Sequence, residues 1–318
     1  MSVPSASTIR ALNTTNKLPS FYPNDNKVDQ FLRKLKFEAV EYSTDQFEYH
    51  RASTLPTVTF FGQGGAVSNN ATEVSTETNT FVRLGQTCAV DLLDEISSKN
   101  DNDPYFSQLE QQVKGTKLSI LRKLSDSLIN GVGPSEIVGL FEQINTEGNG
   151  YFFNLLGAGF TLDNLYYLAN VSRSTDDLIG SYRGRYFISN ERTLRQVMYL
   201  LDSAGRRISF QYDEDLKTEI PVLFGLPWLI SDEVFVSVKS NTTIYVAQLE
   251  GPTAIKMLYA KDPSAESDRW GITTFDVPLQ QTTSQLAKGV FGFYSLVVPE
   301  ESLAVYSNAK ILNAQALP

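Results

Sequence analysis

The chain has 318 residues, 42% of them hydrophobic, which is enough for two compact lobes around a buried core and excludes a disordered polypeptide. Its 27 Lys and Arg stand against 36 Asp and Glu, a formal charge of −9, so a tight hold on nucleic acid through counterion release is not the reading its charge favours. One cysteine, Cys88, excludes an internal disulfide, and one histidine, His50, removes most transition-metal sites and most histidine acid–base chemistry.

Charged residues make up only 20% of the chain against a background of Ser, Thr, Asn and Gln, which favours strands and turns and hence a β-rich or mixed fold. The start, Met1-Ser2-Val3-Pro4-Ser5-Ala6, has no basic or apolar signal region, and nowhere do 18 apolar residues run together. The expectation is a chain made in a reducing cytosol, without a standard secretion signal and without a membrane span.

Residues 1 to 23 read as an arm without a core of its own, punctuated by Pro4, Pro19 and Pro23. Asn24 or Asp25 is then expected to cap a short helix with Val28, Phe31, Leu32, Leu35 and Ala39 on its apolar stripe. Lys27, Arg33, Lys34 and Lys36 lie off that stripe. They read as a solvated helix face, with contact to DNA or to an acidic neighbour as the functional alternative.

Residues 57 to 84 read as a two-stranded ribbon. Val58 and Phe60 alternate with Thr57 and Thr59, Ser68-Asn69-Asn70 forms the tip, and Thr78 to Leu84 returns. A hairpin alone is marginally stable in water, so it is expected to lie on another lobe or another subunit. Gly62-Gln63-Gly64-Gly65 within it lacks the spacing and the following Lys-Ser or Lys-Thr of a phosphate loop.

After Asp101-Asn102-Asp103 comes the clearest helix, Pro104 to Asn130, with Leu109, Val113, Leu118, Leu121, Leu124 and Leu128 on its buried side and Gly131 as its stop. Gly115 in mid-helix costs about 1 kcal/mol relative to Ala and marks a candidate bend. Helices are also expected over Leu162 to Ala169 and Asn190 to Asp202. Strands are expected at Tyr186-Phe187-Ile188, Pro221 to Ile230, Ile244 to Leu249 and Leu296-Val297-Val298. Without regular βαβ alternation, this pattern indicates an α+β fold.

Catalytic constellations are weak. Cys88 and His50 could form a nucleophilic dyad, but Gln86-Thr87-Cys88-Ala89-Val90 carries no helix N-terminal signal, and a buried structural thiol is the simpler fate. Asp176-Asp177 and Asp213-Glu214-Asp215 lack the order of a calcium loop and read as solvated turns. A glycosidase-like carboxylate pair stays open, with nothing to single one out. No cofactor or metal is implied.

From the long helix onward the chain carries an ordered series of motifs. Leu118 to Gly133 ends a long helix on an Asn-Gly-X-Gly turn, and Gly139-Leu140 follows at a short distance. Tyr186-Phe187-Ile188-Ser189-Asn190 with Thr193-Leu194, then Leu200 to Arg206 carrying Asp202-Ser203-Ala204-Gly205-Arg206, reads as a strand, a helix and an Asp-X-X-Gly-Arg turn. Leu223-Phe224-Gly225-Leu226-Pro227-Trp228-Leu229-Ile230-Ser231 reads as a Gly-X-Pro strand. In their order across residues 57 to 310 these motifs resemble the spine helix, strand, helix, turn and Gly-X-Pro strand of the tailed-phage major capsid proteins of the Hong Kong 97-type fold.

The resemblance implies an N-terminal arm (1–56), an extended β-ribbon loop over a neighbouring subunit (57–84), a peripheral lobe (85–150 with 252–298) and an axial lobe (151–251 with 299–318). It implies a non-enzymatic subunit that assembles through hexamers and pentamers into an icosahedral shell around double-stranded DNA, in a virion built in the bacterial cytoplasm. An encapsulin-like compartment around a cargo enzyme is the alternative. Implied partners are further copies of the chain, a portal, scaffold or decoration proteins, and the packaged DNA through weak contacts. On this reading Val58, Phe60, Phe61, Phe81 and Arg83 are inter-subunit contacts, Gly115 is a hinge in the spine helix, and Arg33, Lys34 and Lys36 are candidate inner-face contacts to the genome. Some members join subunits through a Lys–Asn bond, but residues 57–83 contain no Lys and residues 264–288 no Asn, so no cross-link is expected. The short stretch before the ribbon implies an uncleaved chain with a separate scaffold or none.

Overall fold

The computed structural model describes residues 29–41, 46–54, 73–92, 95, 108–145, 151–156, 158–171, 184–234, 241–251, 254–261, 267–277, 285–298 and 303–310. The N-terminal arm before residue 29 and the ribbon residues Val58, Phe60 and Phe61 therefore lie outside the described residues, as do Gly62-Gln63-Gly64-Gly65 and Asp176-Asp177.

The short helix α1 spans Gln30–Lys34, five residues, with Asp29 as its cap rather than Asn24 or Asp25. Phe31 and Leu32 are buried in it, and Leu35 just beyond it. The expected continuation to Ala39 does not occur, because Lys36–Glu41 is strand β1, paired in parallel with Lys256–Lys261. Helical spacing of apolar residues gives way here to an edge position on a sheet whose backbone groups need a partner.

The two-stranded ribbon forms from β2 (Gln46–Thr54) and β3 (Glu73–Thr80), antiparallel. Its strands thus begin earlier than 57 and end before Leu84, and Phe81 separates β3 from β4, Val82–Asp91. The β4 strand leaves the ribbon and pairs with a distant partner, β13 (Gln285–Val297). Long-range pairing of this kind is not visible in the local alternation that signals the ribbon.

The long helix α2 runs Gln108–Asn130 and carries Leu109, Ile120, Leu121, Leu124, Leu128 and Ile129 into the core. It covers β4 and β13 on the face that presents Cys88, Val90, Val290 and Tyr294, all buried. With β1, β11 (Lys256–Lys261) and β12 (Thr273–Val277) these strands make a five-stranded sheet in which β13 bonds to β11, β12 and β4 along its 13 residues. Each fully buried Leu or Val on this interface contributes about 1.5–3 kcal/mol.

Helix α2 ends on a tight turn. The Gly131 N–H donates to Ser127 O at 2.9 Å and the Gly139 N–H to Gly131 O at 2.8 Å. A Cβ on Gly131 would overlap the Ile137 carbonyl oxygen, and one on Gly139 would lie 2.7 Å from Ser127 O, so close backbone approach demands glycine at both. Helix α3, Leu140–Asn145, follows.

The second sheet has seven strands in the order β5 (Tyr151–Asn154), β14 (Leu303–Lys310), β10 (Asn241–Gln248), β6 (Arg185–Ser189), β9 (Leu226–Ile230), β8 (Thr218–Leu223) and β7 (Ser209–Asp213). Helices α4 (Leu162–Val171) and α5 (Glu191–Ser203) pack on it through Leu165, Leu168, Val197 and Leu201, in a core where Phe187 stacks on Trp228 at 4.7 Å between ring centroids. Asn190 Oδ1 accepts from the Arg192 N–H at 2.9 Å and so caps α5. The run Pro221 to Ile230, expected as one strand, is a hairpin, because Phe224 (φ 53°) and Gly225 (φ 81°) both turn left-handed between β8 and β9.

The chain interleaves the two sheets. Residues 36–41 and 82–91 enter the first, 151–248 the second, 256–297 the first again, and 303–310 the second. Among the described residues no helix is long and apolar enough to cross a membrane.

Candidate functional site

Where the two sheets meet, the segment 29–34 acts as a clasp. Asp29 Oδ1 accepts from the Phe31 N–H at 3.1 Å, while Asp29 Oδ2 accepts from Ser125 Oγ of α2 at 2.8 Å and from Ser231 Oγ, just past β9. Gln30 Oε1 accepts from the Ile230 N–H at 2.9 Å, and Asn130 Nδ2 donates to Glu233 O at 3.0 Å. Five residues of helix would be unstable alone, and it is these tertiary partners that hold it. Burial raises the Asp29 carboxyl above its ordinary value, and the hydroxyl and amide donors only partly offset it. Glu233 is likewise raised, by burial first and then by the charges of Asp126, Asp29 and Asp232.

At the other end of α1, Lys34 Nζ lies 2.7 Å from Asp215, 3.0 Å from Glu250 and 3.1 Å from Asp213, with its side chain only 8% exposed. Tyr186 Oη donates to Glu250 Oε1 at 2.5 Å. Burial alone pulls the Lys34 ammonium down, but the three carboxylates and the Tyr186 hydroxyl outweigh it and hold the group charged. The end of β7 and the turn after it, which carry Asp213 and Asp215, are therefore pinned to α1, and Leu216 and Ile220 beside them belong to the same buried cluster as Leu35 and Met257.

This geometry corrects two expectations. Lys34 faces carboxylates of its own chain and is not available to a genome. Asp213-Glu214-Asp215 is not wholly a solvated turn: Glu214 and Asp215 are exposed, but Asp213 is buried, and Asp213 and Asp215 are both partners of that lysine. The Lys34–Asp215 contact spans 181 residues of sequence, and no local pattern signals it. Arg33 is half-buried, whereas Lys36 is exposed and pairs with Glu38 at 3.1 Å. Cys88 is buried, its Sγ 3.1 Å from Thr116 Oγ1, as a structural thiol would be. Among the described residues no group of three or more His, Cys, Asp or Glu could hold a metal ion.

Two further surfaces expose aromatic area. On the sheet face turned away from α2, Arg83 lies 4.5 Å from the Phe291 ring centroid and 5.8 Å from that of Phe293, and Phe275, 45% exposed, stacks on Phe291 at 5.5 Å. On the second lobe, Tyr166, Tyr167, Tyr199, Phe210 and Tyr212 are exposed. Exposed aromatics on this scale are the usual mark of surfaces that meet other protein.

No protein-family model matches the sequence, and no curated protein matches it. Solved structures do. The holo-SrpI encapsulin complex from Synechococcus elongatus PCC 7942 superimposes with a TM-score of 0.68 at 14% identity, over 100% of both chains. The capsid of the native GTA particle, computed with C5 symmetry, gives 0.65 at 13% identity, over 97% of this chain and 100% of that one. The Cyanophage A-1(L) capsid asymmetric unit gives 0.64 at 13% identity, over 94% and 99%.

The fold is the Hong Kong 97-type shell fold.

Gly115 lies within α2, which runs through it without interruption, with open space where a Cβ would be. Of the expected contact residues, Phe81 and Arg83 lie at the root of the ribbon, Arg83 on the aromatic face of the five-stranded sheet. The clasp around Asp29 and Lys34 was missed in the sequence. Its one legible signal is the short polar interruption Asp29-Gln30 before Phe31-Leu32.

Proposed function

We propose that this protein is the major capsid protein of a tailed double-stranded DNA phage, a structural and non-catalytic subunit that assembles through hexamers and pentamers into an icosahedral shell. The observation that carries the reading is coverage: the likeness to shell proteins extends over nearly the whole of both chains. On this reading the five-stranded sheet with α2 forms the peripheral lobe, the seven-stranded sheet the axial lobe, and residues 57–84 the extended loop that reaches a neighbour, with Val58, Phe60, Phe61, Phe81 and Arg83 at its contacts. Gly115 is the hinge of the long helix, and Lys36 remains a candidate for weak contact with packaged DNA. Portal, scaffold or decoration proteins complete the set of partners.

The full-length match to an encapsulin complex supports a second reading, a compartment shell around a cargo protein. Negative-stain microscopy of the purified protein, with absorbance at 260 nm on the same size-exclusion peak, separates the two. Uniform closed particles support the shell. Dependence on nucleic acid or a scaffold selects the phage reading and a co-purifying enzyme selects the compartment. A monomer that no scaffold or crowding agent converts to particles overturns both.

A further inference from the structure

The lobe of the five-stranded sheet and the lobe of the seven-stranded sheet meet over apolar surface. Leu216, Leu229 and Tyr245 of the second lobe belong to the same buried cluster as Leu35, Leu128 and Met257 of the first. Burial of this kind is non-directional, and packed surfaces slide over one another in small steps. Hydrogen bonds weaken steeply once their angle is lost, so polar ties across the junction select one arrangement. The segment 29–34 supplies such ties, and its base is the first lobe. Leu35 joins α1 to the six residues of β1, which pairs with β11, and Asp29 Oδ2 accepts from Ser125 Oγ of α2 at 2.8 Å.

From that base the segment grips the seven-stranded sheet at two points. Gln30 Oε1 accepts from the Ile230 N–H at 2.9 Å and Asp29 Oδ2 accepts from Ser231 Oγ, both at the end of β9. Lys34 Nζ lies 3.1 Å from Asp213, the last residue of β7, and 2.7 Å from Asp215. β8 lies between β9 and β7 and is antiparallel to both, so these two C-terminal ends sit at the same end of the sheet. They are two strand spacings, about 10 Å, apart. One tie would leave the sheet free to swing about it, whereas two ties on a baseline of this length fix its direction. Helix α1 matches the baseline, because its five residues rise about 7.5 Å and the Lys34 side chain supplies the remainder. We propose that the 29–34 clasp fixes the angle between the two lobes and, through it, the curvature of the shell. The second step rests on the shell reading. Copies of one chain close into rings only when each keeps nearly the same geometry, so an angular error between the lobes is passed on at every contact. A clasp made within the chain sets that geometry before any neighbour arrives.

The two steps are tested separately. Lys114→Cys on α2 and Ser203→Cys at the end of α5, both exposed positions, carry spin labels, while the native Cys88 is buried. In unassembled protein, double electron–electron resonance is expected to give one narrow distance between the lobes. Asp29→Ala with Gln30→Ala is expected to broaden that distribution at least twofold. Gln30→Ala alone, which removes one tie and leaves the helix cap, is expected to broaden it to a lesser degree and carries the test if the pair does not fold. Asp29→Asn, whose side chain still accepts from the Phe31 N–H and donates to a Ser hydroxyl, is expected to leave it narrow. Val197→Ala, which loosens the core of the second lobe alone, is the control for lost stability and is also expected to leave it narrow. Electron microscopy of particles assembled from the same chains is expected to show at least twice the wild-type spread of diameters for the Ala variants only. A narrow distance in the Ala variants overturns the control of the angle, and a broadened distance with unchanged diameters overturns the control of curvature. Neither result touches the shell reading, which fails instead if the wild type forms no particles.

Discussion

Removing the Lys34 ammonium leaves Asp213, Asp215 and Glu250 facing one another with no cation between them. Lys34→Met is expected to cost about 3 kcal/mol, the low end for a buried pair because Asp215 and Glu250 still reach solvent. Adding Asp213→Asn is expected to recover part of that loss, and urea unfolding of the single and double variants reads both. Asp29 gives a pH dependence of opposite character to that of an ordinary surface carboxylate. The groups around it are Ser125 of α2, Ser231 after β9 and the Phe31 N–H, with the charges of Asp126, Asp232, Glu233 and Arg122 nearby. Its carboxyl is raised in the folded state, so the native chain binds a proton more readily than the unfolded one and this site gains stability as pH falls. Relative to Asp29→Asn, which does not titrate, the wild type should become more stable as pH falls from neutral toward the ordinary carboxylate range, measured as the difference in urea midpoints. A flat difference would refute the assignment. None of these partnerships was legible in the sequence, because each joins residues about a hundred or more positions apart through side chains that would suit a surface equally well.

Among the elements, the long helix and the helices over 162–171 and 191–203 were legible, since a 3.6-residue apolar period sustained over ten or more residues fits a helix and little else. The strands were less so. Lys36–Glu41 carried helical spacing and became an edge strand, and the Phe224-Gly225 turn was hidden in an apolar run where Gly225 lies between Pro221 and Pro227 and none of the three marks the turn by itself. The hinge is testable at this scale. A Cβ on Gly115 meets nothing within 4 Å, so Gly115→Ala should stabilise the helix by about 0.5–1 kcal/mol. If the residue is a hinge, the variant should also slow conversion between shell states, and unchanged assembly and maturation would remove that role. Gly131→Ala is the contrasting case, because its Cβ collides with the Ile137 carbonyl and the whole 131–139 turn must move. A loss of about 2 kcal/mol or more in thermal or urea unfolding is expected.

For the whole molecule, an assembled shell should run as a monomer on a denaturing gel, because residues 57–83 hold no Lys and residues 264–288 no Asn to form a bond between subunits. A ladder of covalent oligomers would contradict this. The alternation of the chain between its two sheets has a further consequence. β14 lies inside the seven-stranded sheet, between β5 and β10, although it follows them in sequence by 149 and 55 residues, counted from Asn154 and Gln248 to Leu303. The first sheet likewise waits for β13 before β4, made nearly two hundred residues earlier, can find its mate. A chain interrupted on the ribosome before residue 303 thus lacks the strand that joins β5 to β10, and not merely a frayed end. Proofreading of length is in this way built into the weave: a shortened copy lacks a finished lobe.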